Sequence, residues 1–142
     1  TGETKTSRTP RILFVDEANN RLSPLAAALA ARAFPESGEY TSAGWAPVDA
    51  LDALVVEAAD SFGLDIDAVV TGELQPFRQA MAEYSVIVVI NGGENPPLGT
   101  IPFHSILQRW TINETSPINE QVHQLTEAIG QLMTKLRGDD AR

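Results

Sequence analysis

The chain contains no cysteine. Disulfides, thiolate zinc sites and thiol redox chemistry are therefore outside its reach. Positive charge is scarce as well: 10 Lys and Arg stand against 19 Asp and Glu, a formal net charge of −9. Such a chain repels nucleic-acid phosphates and anionic membranes, so neither is an expected partner. No apolar run approaches the roughly 18–20 residues that span a bilayer. The longest candidate, Val86 to Ile90, is the size of a core strand. Histidine is limited to His104 and His123, which show no metal-ligand spacing with each other or with carboxylates. No metal and no cofactor are expected.

What is present is an ordinary globular composition, 43% hydrophobic over 142 residues, enough for one domain with a core of normal size. The first ten residues, "TGETKTSRTP", are polar and do not read as a leader. With Thr in the first position, the chain is expected to be a processed or excised piece, one domain of a longer protein. The expected division is a linker at 1–10, a single domain at 11–137 and a tail at 138–142.

The pattern along the chain alternates strand and helix. "RILFV" (11–15) is a continuous apolar run between polar loops, as in a strand buried on both faces. "LSPLAAALAARAF" (22–34) is rich in Ala and Leu and reads as helix, with Ser23 as its expected cap and Pro24 in its first turn. "EYTSAG" (39–44) has a short strand's composition. "DALDALVVEAADSFG" places Leu51, Leu54, Val55, Ala58, Ala59 and Phe62 on one helical stripe, closed by Gly63.

"LDIDAVVTGEL" is open between loop and strand, "PFRQAMAEY" suggests a short helix, and "SVIVVI" (85–90) is the most hydrophobic strand. "NGGENPPLGTIP" is loop and "SILQRWTI" a last strand. "SPINEQVHQLTEAIGQLMTKL" is a long amphipathic helix with Ile118, Val122, Leu125, Ile129, Leu132, Met133 and Leu136 on one stripe. This order implies an α/β fold with a parallel sheet, whose ligand crevice lies at the carboxyl ends of the strands. The loop from Asp16 to Leu22 belongs at that crevice.

"SPLAAALA", then "SAG" at Ser42–Gly44, "VVEAADSFGLDI" (55–66), "AEYSVIVVI" (82–90) and "RWTI" (109–112) follow one another before the final helix. In this order and spacing they resemble the low-molecular-weight protein tyrosine phosphatases and the related thioredoxin-coupled arsenate reductases. The resemblance runs from Arg11 to Leu136. It implies a three-layer sandwich with a four-stranded parallel sheet in the order 2-1-3-4, the phosphotyrosine protein phosphatase I-like fold.

The family's signature is a Cys-x5-Arg-Ser loop after the first strand. Its thiolate attacks phosphorus or arsenic, its amides and Arg hold the oxyanion, and its Ser steadies the thiolate. Carried onto this chain, the loop positions are Asp16, Glu17, Ala18, Asn19, Asn20, Arg21, Leu22 and Ser23. Asn19 and Ser23 match. Asp16 stands at the nucleophile and Leu22 at the anion clamp, so neither function is retained. The family's general acid, an Asp before the last helix, has Glu114 as its nearest counterpart.

Two unit charges about 4 Å apart repel by roughly 4 kcal/mol at an effective dielectric of about 20, so Asp16 and Glu17 oppose oxyanion binding. Rescue by Arg21 would require a one-residue shift. The resemblance thus implies a catalytically inactive relative, a regulatory or sensory module in the cytoplasm. A protein partner or fused domain is expected, and homodimerisation is an open alternative. The expected state of Asp16 and Glu17 is two solvated carboxylates.

A second reading gives Asp16 and Glu17 a divalent cation, in a metal-dependent enzyme or a receiver-like domain. The segment "DAVVTGELQP" (67–76) mimics the receiver phosphorylation site, but Gly72 occupies the acceptor position. A third reading is sensing of a neutral or cationic ligand in the emptied crevice. Trp45 is a candidate for the crevice rim, Trp110 for the core, and His104 and His123 for the surface.

Overall fold

The computed structural model describes residues 10–17, 22–44, 53–64, 70–73, 84–92 and 105–140. The expected helix at "PFRQAMAEY" apart from its last residue, Tyr84, together with Trp45, His104, most of the Gly- and Pro-rich loop and residues 18–21, lies outside them.

Among the described residues five strands form one sheet: β1 (Arg11–Asp16), β2 (Glu39–Gly44), β3 (Val70–Glu73), β4 (Val86–Ile90) and β5 (Ile106–Trp110). Their order is β3-β2-β1-β4-β5, with every neighbouring pair parallel. Without β3 this is the expected four-stranded sheet in the order 2-1-3-4. β3 extends it by four residues from the segment whose sequence left loop and strand open. Its pairing with β2 is irregular between Ser42 and Gly44.

β1 is the central strand because its sequence is apolar on both faces. Ile12, Leu13, Phe14 and Val15 are all fully buried. Burial of side chains this size is worth about 1.5–3 kcal/mol each. The period of two divides them: Ile12 and Phe14 join one core cluster with Val86, Val88 and Ile90, while Leu13 and Val15 join a second with Ile87, Val89, Ala43 and Tyr84. Both faces of the sheet are thus buried, as a three-layer arrangement requires.

Three helices are described: α1 (Leu22–Ala33), α2 (Ala53–Phe62) and α3 (Ile118–Asp140). All three feed the cluster on the Ile12 and Phe14 face. In α1 the buried Ala26, Ala27 and Ala30 let the helix approach the sheet closely. In α3 the expected stripe is the buried one: Val122, Leu125, Ile129, Leu132 and Met133 are in the core, and Ile118 and Leu136 pack against it. Trp110 also packs there, its ring tilted against Phe14 with centroids 5.8 Å apart. His123 lies on the exposed face of α3, 3.5 Å from Glu127.

Two expectations change. The stripe on α2 is narrower than its sequence suggests: Val55, Ala58 and Ala59 are buried, whereas Leu54 and Phe62 are 44% and 40% exposed. Ser23 does not cap α1. The helix begins one residue earlier, and the Ser23 hydroxyl donates a hydrogen bond, whereas an N-cap oxygen accepts one.

Gly63 ends α2 as anticipated, with φ +69° and its N–H bonded to the Asp60 carbonyl. That left-handed conformation suits glycine at the position after a helix.

Candidate functional site

The carboxyl ends of β1, β4 and β5 lie side by side at one edge of the sheet. The chain crosses there from β1 into α1, at the point where the strand order reverses. Asp16 is the last residue of β1. Strand alternation puts it on the face of Ile12 and Phe14, the face that α1 covers.

Its carboxylate therefore meets the start of α1. The backbone N–H groups of Leu22 and Ser23 donate to Asp16 Oδ2 at 3.0 and 3.1 Å. The Ser23 hydroxyl donates to Oδ1 at 2.7 Å. The two amides are donors that a helix leaves unpaired at its N-terminus, and the positive end of the helix dipole reinforces them. Asp16 is only 8% exposed.

Asp16 is thus not the solvated carboxylate the sequence suggested. The expectation weighed its charge against an incoming anion and left out the donors it could satisfy itself. Glu17, the next residue, is exposed as expected. The Leu22 side chain is buried in the core, so this position offers the edge an amide and no cation. Ala18, Asn19, Asn20 and Arg21 lie outside the described residues.

Glu114 reaches the same edge by another route. β5 sits two strands from β1, which separates their ends by about 10 Å. Asn91, directly after β4, adopts a left-handed backbone with φ +54°. Its side-chain oxygen accepts from the Ile112 N–H at 2.8 Å. Its amide nitrogen donates to the Ile112 carbonyl at 3.0 Å and to Glu114 Oε2 at 2.6 Å. Asn91 thus fixes the chain leaving β5 and positions the Glu114 carboxylate.

Gln121, buried in the first turn of α3, supports the same turn. Its Nε2 donates to the carbonyls of Glu114 and Ser116 at 3.3 and 2.8 Å, while its Oε1 has no partner among the described residues.

Sequence reasoning missed Asn91 and Gln121. A signal for Asn91 was available, because Asn at a strand end before Gly-Gly is the residue type that best tolerates a left-handed turn. Gln121 gave none, since a polar residue at a helix start reads as surface. The structure brings Asp16, Leu22 and Ser23 together and places Glu114 on the same edge. No group of three or more His, Cys, Asp or Glu suited to a metal exists among the described residues.

No family model and no curated protein matches the sequence. Solved structures do match the fold. The thioredoxin-dependent arsenate reductase of Corynebacterium glutamicum aligns over 97% of this chain and 67% of its own, with a TM-score of 0.78 and 22% identity. YfkJ of Bacillus subtilis aligns over 93% and 97%, with a TM-score of 0.76 and 15% identity. Vibrio vulnificus Wzb, solved in complex with benzylphosphonate, aligns over 90% and 99%, with a TM-score of 0.68 and 17% identity. The chain has the fold expected from its resemblance, that of the arsenate reductases and low-molecular-weight phosphatase-like proteins.

Proposed function

We propose that this domain is a catalytically silent relative of the enzymes whose fold it shares, kept as an interaction, regulatory or sensory module. One observation carries the reading: the Asp16 carboxylate accepts hydrogen bonds from the Leu22 and Ser23 amides and from the Ser23 hydroxyl. At the nucleophile position implied by the resemblance stands a hard, charged oxygen base that is already bonded. Donors that would serve an incoming oxyanion are engaged by the chain itself.

Carboxylates do act as nucleophiles on phosphorus, but with a cation to neutralise the incoming charge. Here Leu22 supplies no positive group. The same bonds weigh against the cation-binding reading. Both Asp16 oxygens already face N–H or O–H donors, and a divalent ion would have to displace them. A fused or separate protein domain is the partner this reading calls for, in a cytoplasmic setting.

The test is turnover. Assayed with an aryl phosphate, and with arsenate plus thioredoxin and its reductase, the protein should show no rate above buffer. Turnover that disappears in Asp16→Ala would overturn the proposal.

A further inference from the structure

A cavity of about 470 Å³ lies away from the Asp16 edge, between the C-terminal end of α1, the end of α2 and the middle of α3. Its volume falls within the ordinary range for small-molecule sites. The walls are apolar, with Leu29, Phe34, Phe62, Leu64 and Ile129 among them. Among the described lining residues the one hydroxyl, on Thr126, is spent on the Val122 carbonyl of its own helix at 2.8 Å.

Two features separate this cavity from a packing defect. Gly130 lines it from the middle of α3, and a Cβ built there meets nothing within 4 Å. Glycine inside a helix is about 0.5–1 kcal/mol less favourable than alanine. Gly63 differs, since its positive φ accounts for the glycine. At Gly130 the fold makes no such demand, and the absent side chain leaves the cavity open.

The second feature is Arg32, on the cavity wall in the last turn of α1. No carboxylate of the described residues pairs with it, in a chain with nearly twice as many acidic as basic residues. Its guanidinium lies across Gly63, where Nη1 would come within 3.2 Å of a Cβ. It faces the C-terminal end of α2 there and still has donors to spare. A shallower extension of the cavity shares Phe34 and Gly130 and adds both Glu127 and Lys135, so Arg32 is the cation that the deeper part itself presents.

We infer that this cavity binds an amphipathic carboxylate, with its alkyl or aryl body among α1, α2 and α3 and its carboxylate on Arg32. The apolar walls select the body by area removed from water. The planar guanidinium suits a carboxylate in bidentate fashion. The site is independent of the reading of the Asp16 edge.

Calorimetric titration of the chain with decanoate tests this inference. Saturable one-to-one binding is expected. Gly130→Leu fills the open space with a better helix former, so its melting temperature should hold or rise while affinity falls by about tenfold or more. Arg32→Gln should weaken decanoate by about tenfold and leave decanol within about twofold. No saturation at about 1 mM decanoate would overturn the site. Unchanged affinity in a folded Gly130→Leu would overturn it too, and equal weakening of decanoate and decanol by Arg32→Gln would overturn the role of the carboxylate.

Discussion

Asp16 and Ser23, seven residues apart, are joined by a 2.7 Å hydrogen bond from the serine hydroxyl to the carboxylate, at the junction of β1 and α1. The link ties the central strand to its crossover helix. Asp16→Ala should therefore act on stability: it removes a nearly buried acceptor and strips the Leu22 and Ser23 amides of that bond. Bonds to charged groups and helix caps together suggest a loss of about 2–3 kcal/mol, read by urea denaturation. A loss below about 0.5 kcal/mol would show that water replaces the carboxylate freely.

Vacating the carboxylate should also change what the edge can bind. Asp16→Ala is expected to gain more thermal stability than the parent protein does when chloride is replaced by phosphate or sulfate, beyond the general effect of these salts on any folded chain. The helix N-terminus is then free to accept an anion. Equal responses in a thermal-shift assay would mean that the amides are not accessible to solution anions.

Asn91 makes the clearest case for a single irreplaceable side chain. Asn91→Asp keeps the acceptor for the Ile112 N–H but turns an oxygen toward the Ile112 carbonyl and the Glu114 carboxylate. The variant should be destabilised by about 2 kcal/mol near neutral pH. The new carboxyl favours its neutral form in that setting, so part of the loss should return as pH falls and it regains a donor. Urea midpoints at about pH 7 and pH 4.5, each compared with the parent, check this.

Alkaline pH acts through Tyr40. Burial raises its phenol from 10.0 to about 12, and its hydroxyl donates to the Phe34 carbonyl at 2.8 Å. The unfolded chain ionises first, so above pH 10 it binds fewer protons than the folded one. Stability from this group is fully present below pH 10 and is lost as pH rises through about 12. Tyr40→Phe should be about 1 kcal/mol less stable near neutrality and show a shallower alkaline decline.

Two glycines should respond in opposite senses to alanine. Gly130→Ala enters open space within α3 and should stabilise the protein by about 0.5–1 kcal/mol. Gly63→Ala imposes a side chain at φ +69° and crowds Arg32, so it should destabilise by about 1 kcal/mol or more. Thermal melts of the two variants in one buffer make the comparison.

Most of the fold was legible because its cues are local and repetitive. "RILFV" and "SVIVVI" announce central strands, and the stripe from Val122 to Met133 announces the face of α3. β3 was obscure because four residues with Gly72 among them leave too short a pattern for periodicity to act on. The site was legible as a place and not as a structure. Sequence put Asp16 at the end of β1, but its bonds to Leu22 and Ser23 depend on how closely α1 folds back. Asn91 and Glu114 are 23 positions apart, a contact that no local pattern encodes.

The carboxylate at the start of α1 is tethered there by the backbone. Its occupancy follows an intramolecular effective concentration and not mass action with solutes. Swings in the concentration of solution anions leave these donors filled. The filling of this position is a constant of the fold, made when α1 folds back onto β1 and kept for as long as the domain stays folded.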